Sequence, residues 1–172
     1  LEYKIKIIRN MKNIHLSILE INTYLFFNSL EGISEEQSIL QISTQTNNIK
    51  WIAAHIIWVR YIMSSFLGNP PEKNPYEGIF DNYKPINVSD DFKSLREIKE
   101  EWEKSTKLLE NSFSMIESDF WEKDSAIKVP IQIGKSNASL FSALAQHESA
   151  HIGQMAFLKK YLTGTPMKLS KD

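Results

Sequence analysis

Residues 138–162 read ASLFSALAQHESAHIGQMAFLKKYL. Leu140, Ala143, Leu144, His147, His151, Met155 and Leu158 recur at spacings of three and four, so they share one face of a helix. Lys159 and Lys160 suit the negative end of a helix dipole, and Gly164 beyond them can take a left-handed cap. The segment therefore reads as a helix from about Ala138 to Leu162, with two histidines on its apolar face. Such a face needs other helices to cover it.

Three more segments have the same periodicity. The first runs from about Lys4 to Leu30, with Ile7, Ile8, Met11, Ile14, Ile18, Leu19, Ile21 and Leu25 crowding one side, and Glu31-Gly32 ends it. The second runs from about Asn48 to Leu67, with Asn47 as N-cap and Gly68 before Pro70-Pro71 as the stop. The third begins near Ser89-Asp90-Asp91, which offer capping oxygens. Leu95, Ile98, Trp102, Leu108 and Leu109 form its buried side, and Arg96/Glu100 and Lys99/Glu103 pair on a solvated face. Residues 127–133 alternate apolar and polar, as in an extended strand or short hairpin, although Pro130 argues against a central strand. Nothing else reads as sheet. The expected class is all-α, a four-helix bundle forming a single domain over residues 1–172.

The link from Gly68 to Val88 sets the expected helix order. About 21 residues can span up to ~70 Å, whereas a helix of ~20 residues is only ~30 Å long. The chain can return along the bundle and leave the second and third helices parallel, in an up-down-down-up order. Counted at ~1.5 Å per residue in that order, His55 lies ~16 Å above the lower end of its helix, and His147 and His151 lie at ~14 and ~20 Å.

His55 sits among Trp51, Ile52, Trp58, Val59 and Ile62, so all three imidazoles belong to core-facing stripes. Buried imidazoles need partners, and three of them serve one another poorly. A shared cation resolves the difficulty, which makes His55, His147 and His151 candidate metal ligands. The bland alternative is three satisfied core histidines. His15 falls roughly ten ångströms lower and is expected to be partly buried or at the surface, not a ligand. Residues 147–151 also match the H-E-x-x-H signature of zinc peptidases. The further histidine or glutamate such enzymes use downstream is missing, as is their sheet, so Glu148 is expected in an inter-helix or surface salt bridge and not as a general base. Gln154, about one turn beyond His151, is the candidate catalytic residue, placed to orient a ligand or water, or else to hold a hydrogen bond behind the ligands.

The 172 residues are 42% hydrophobic and 24% charged, with a net charge of −1 and no cysteine. The balance predicts neither nucleic-acid nor membrane binding. Without thiolates, any metal must be held by nitrogen and oxygen. No apolar run reaches the ~20 residues of a membrane span. The opening residues lack a signal peptide's apolar core, and with the absent cysteine this points to a cytoplasmic protein.

Residues 47–56, the Gly/Pro-rich crossover and Gln146-His147-Glu148-Ser149-Ala150-His151-Ile152-Gly153-Gln154 together resemble the DinB-like family of metal-dependent four-helix bundles, over roughly residues 8–165. The resemblance implies an up-down-down-up bundle and one divalent ion on His55, His147 and His151. Members with known activity include thiol-S-transferases and isomerases that use low-molecular-weight thiols, and homodimers are common among them. One departure is Trp58-Val59-Arg60, where members often carry an acidic residue. Zinc or nickel suits an imidazole-only site. The leading functional expectation is a transferase joining a low-molecular-weight thiol to a small electrophilic substrate. The alternatives are a non-catalytic metal-binding stress-response bundle and a metal-dependent hydrolase.

Overall fold

A computed structural model describes residues 2–80, 92–117 and 119–170, with side chains from residue 14 onward. Every regular element among them is helical: α1 (Glu2–Leu30), α2 (Glu35–Ser38), α3 (Ile49–Phe66), α4 (Leu95–Met115), a short 3-10 turn (Phe120–Glu122) and α5 (Asn137–Thr163). The chain is all-α. The four long helices pack pairwise, α1 against α5 and α4, and α3 against α4 and α5. No helix among the described residues is long and apolar enough to cross a membrane.

Helix ends follow local chemistry. Asn48, one residue later than expected, caps α3 by accepting from Trp51 N at 2.8 Å. Ser94 and Glu97 form a capping box at the start of α4. The expected start at Ser89-Asp90-Asp91 lies outside the described residues, as do residues 81–88 of the crossover. Gly164 ends α5 at φ 72°, a conformation that favours glycine. The four-residue α2, absent from the sequence reading, is tied down by Glu35, which accepts from Leu95 N at 2.7 Å and pairs with Lys50 at 2.6 Å. Residues 127–133 form turns and bends, not a strand. Their alternation marks a loop closed by a single antiparallel bridge between Asp124 and Ser136.

α1 buries Leu19 and packs Leu25 against the core, as expected, but the rest of its buried face differs from the stripe the sequence suggested. Ile14 and Ile21 are exposed, while His15, Leu19, Asn22, Phe26, Ser29 and Leu30 face inward. The side chains of Ile7, Ile8 and Met11 lie outside the described residues. Choosing the most apolar face failed because the buried face of α1 carries polar groups that the core binds. α3 is buried almost all round, and two apolar clusters form around it. One contains Phe26, Ile52, Ile56, Trp102 and Met155; the other contains Leu19, Met63, Phe113, Trp121 and Phe141. Phe26 and Trp102 stack with centroids 3.8 Å apart.

Candidate metal centre

α3 carries His55 and α5 carries His147 and His151, and the packing of α3 on α5 brings the three rings together. His55 Nε2 lies 3.3 Å from His147 Nε2, and His151 Nε2 lies 3.1 Å from the same atom. The candidate ligand atoms all fall within 4.8 Å of one another. Ions bound tetrahedrally at 2.0–2.1 Å place neighbouring ligand nitrogens about 3.3 Å apart, so the observed spacing fits a shared cation.

Hydrogen bonding alone does not satisfy this arrangement. His147 Nε2 has one bonding position, either a proton or a lone pair. It cannot serve two nitrogen neighbours at once. Among the described residues, the buried Nδ1 atoms of His55 and His147 have no partner. A cation drawing on three Nε2 lone pairs would remove the conflict at the centre. Three nearby histidines of this kind can hold a metal ion.

The protonation states suit ligation. Burial, reinforced by the neighbouring His151 and His147, pushes His55 down to about 3. Burial and His151 push His147 down to about 4. His151 is also lowered by burial, against an opposing hydrogen bond to Gln154. His55 and His147 are therefore neutral at pH 7, the form that ligates. Trp51 stacks on His55 at 5.1 Å and 17°, Trp58 at 5.7 Å and 28°, and Phe80 meets its edge at 5.1 Å. These rings wall one side of the site.

Gln154 is exposed and its Oε1 accepts from His151 Nδ1 at 2.9 Å. With Nδ1 carrying the proton, His151 Nε2 presents a lone pair. This hydrogen bond engages the ring nitrogen of His151 opposite the one that faces His147. Beside His147, a cleft of about 440 Å³ runs between α5 and the 124–136 loop, bordered by Ile131, Ile133, Ala143, Gln146, His147 and Ala150. Its volume is that of small-molecule sites.

His15 stays apart from the triad, as expected, but it is not at the surface. It is only 4% exposed, 5.0 Å by ring centroid from both Trp121 and Phe141. Glu148 is fully buried in an inter-helix ion pair with Arg60, with Nε to Oε2 at 2.7 Å and Nη2 to Oε1 at 2.9 Å. The H-E-x-x-H glutamate is thus committed to an arginine. In the sequence Arg60 stood out only as a departure from the family pattern, although a cation deep in the apolar run of α3 was a visible signal that an acid must be buried opposite it.

Comparison with known families, with curated proteins and with solved structures finds no match to this chain. The histidine geometry therefore carries the functional argument by itself.

Proposed function

We propose that the chain is a four-helix bundle of DinB-like kind, with up-down-down-up helix order, and that it binds one zinc or nickel ion through His55, His147 and His151 as a metal-dependent transferase. The observation that carries the metal reading is the convergence of three Nε2 atoms at 3.1 and 3.3 Å on His147. Three protein ligands leave coordination open, which is typical of catalytic rather than structural sites. The cleft beside His147 favours an ion reached by small molecules over one sealed in the core.

The substrates proposed are a low-molecular-weight thiol and a small uncharged electrophile. In the transfer, a carbon–sulfur bond forms as the electrophile's leaving group departs or its strained ring opens, and the thiol proton passes to solvent. When bound, the ion supplies a Lewis acid that favours the thiolate over the neutral thiol. The chain's own contribution is to keep His55 and His147 neutral by burial, to hold the His151 tautomer through Gln154, and to offer Ile131, Ile133 and Ala143 to an apolar substrate.

The test begins with elemental analysis of protein purified without a metal-affinity tag. The expected result is one ion per chain. Electrophiles and esters are then incubated with and without a low-molecular-weight thiol. Turnover that needs both thiol and ion supports the transferase. Turnover that needs the ion alone replaces it with a hydrolase. An ion present without turnover on a broad panel replaces it with a non-catalytic metal-binding bundle, the reading that the aromatic wall of Trp51, Trp58 and Phe80 favours.

A further inference from the structure

Arg60 lies five residues after His55 on α3, and Glu148 directly follows His147 on α5. Both side chains are 0% exposed. The guanidinium grips both carboxylate oxygens, at 2.7 and 2.9 Å. From α1, Leu19 O and Thr23 Oγ1 accept from Arg60 Nη2 at 3.3 and 3.2 Å, and Asn22 Nδ2 donates to Glu148 Oε1 at 3.0 Å. Asn22 Oδ1 in turn accepts from Ser149 Oγ at 3.0 Å. From α4, Thr106 Oγ1 accepts from Arg60 Nη1, and Trp102 lies beneath the guanidinium at 3.6 Å. One ion pair thus engages all four long helices.

We propose that Arg60 and Glu148 are positioning residues for the histidine triad: their two-point grip sets the register of α3 against α5 and so brings His55 Nε2 onto His147 Nε2. The inference rests on the metal reading above. A planar fork meeting a carboxylate is directional in a way that apolar contacts are not. Adjacent residues on a helix differ by ~100° in direction, so fixing Glu148 toward Arg60 also fixes where His147 points. A metal site needs its ligands held within about 0.5 Å. Stability alone gives little reason for the pair, because apolar residues of similar volume commonly replace a buried ion pair without loss.

The test separates register from stability. The double variant Arg60→Met/Glu148→Leu fills the same space without charge. The full chain is compared with wild type in urea denaturation and in zinc titration against a chromophoric chelator. The expected double variant has an unchanged or higher urea midpoint and about 10–100-fold weaker zinc binding. Wild-type affinity in a folded double variant overturns the proposal. If the double variant does not fold, Arg60→Lys decides, because it keeps the buried positive charge and gives up the planar two-point grip on Glu148. Zinc binding weakened several-fold in a folded Arg60→Lys chain supports the positioning role, and unchanged binding overturns it. A wild-type chain that takes up no zinc rejects the metal reading instead. The register is then read from NMR contacts between the His55 and His147 rings, which are expected in wild type and lost in the double variant or, should that not fold, weakened in Arg60→Lys; contacts that persist overturn the proposal.

Discussion

Two polar clusters share the α3–α5 contact, and they treat their hydrogen-bonding groups in opposite ways. Around Arg60 and Glu148 every guanidinium nitrogen has an acceptor and both carboxylate oxygens have donors. At His55, His147 and His151 the Nε2 atoms crowd together, and among the described residues the Nδ1 atoms of His55 and His147 have no partner. Low dielectric makes a satisfied polar network strong and an unsatisfied one costly. The first cluster is complete as it stands. The second leaves polar atoms for an added group to satisfy, and three histidines so placed could hold a metal ion. The sequence places the two one residue apart on α5.

The sharpest way to break the comparison is to remove a ligand. His147→Ala deletes the nitrogen that both other histidines approach, and is expected to reduce bound metal to near zero by elemental analysis. His55→Ala and His151→Ala are expected to remove most of it, and His15→Ala none. Metal retained in full by a His147→Ala/His151→Ala double variant would falsify the assignment.

The next effect is on folding. Arg60→Ala or Glu148→Ala leaves a buried charge without its partner, an outcome that costs about 3–5 kcal/mol. The expected result is a large fall in the urea midpoint of the metal-free chain. In the same metal-free state His147→Ala should cost less, because it removes a group whose hydrogen bonding is already frustrated. Equal losses would mean that the two clusters differ less than their geometry indicates.

Acid sharpens the contrast from another side. His15, His55, His147 and His151 are all lowered, in each case chiefly by burial. Below about 6.5 the unfolded chain takes up protons that the folded chain refuses, so stability falls as pH falls. For His55 and His147 this window runs from the unfolded value of 6.5 down to about 3 and about 4. Each such histidine contributes a slope of about 1.4 kcal/mol per pH unit within its window. Glu35, Glu97 and Glu101 are lowered from 4.5 and act at lower pH. A urea midpoint of the metal-free chain that stays flat between pH 7.5 and 5 would contradict the buried, neutral triad. The same lowering means that protons displace the ion from the folded chain at a lower pH than free histidines would suggest.

Much of this was legible in the sequence, for identifiable reasons. α3 and α5 announce themselves through apolar spacing and through Gly68 and Gly164 at their ends, with the cap of α3 misplaced by one residue at Asn47, and the triad follows from which faces His55, His147 and His151 occupy. α1 was harder because its buried face carries His15, Asn22 and Ser29, so hydrophobicity pointed instead to Ile14 and Ile21, which face solvent. His15 looked peripheral by height along the bundle, but height says nothing about the ring of Trp121 and Phe141 around it. Periodicity marked Glu148 for a salt bridge without revealing its partner. Pairing it with Arg60 requires the helix register, which no single helix encodes.

The smallest effect tests Gln154, which finishes part of the triad's hydrogen bonding. Its Oε1 holds the proton of His151 on Nδ1, at 2.9 Å. Partners of this kind orient a ligating imidazole and typically affect metal affinity by 10–100-fold. Gln154 is exposed, so water can take over part of the role in Gln154→Leu. The expected loss is therefore at the lower end, about tenfold in zinc affinity or ~1.4 kcal/mol, measured by chelator competition. Gln154→Glu keeps the acceptor and adds charge, and is expected to bind zinc at least as tightly as wild type. If Gln154 instead orients a substrate, Gln154→Leu will leave zinc affinity intact and lower turnover of the loaded protein. A drop in affinity restored by glutamate assigns Gln154 to the triad, and an unchanged affinity with lowered turnover assigns it to the substrate.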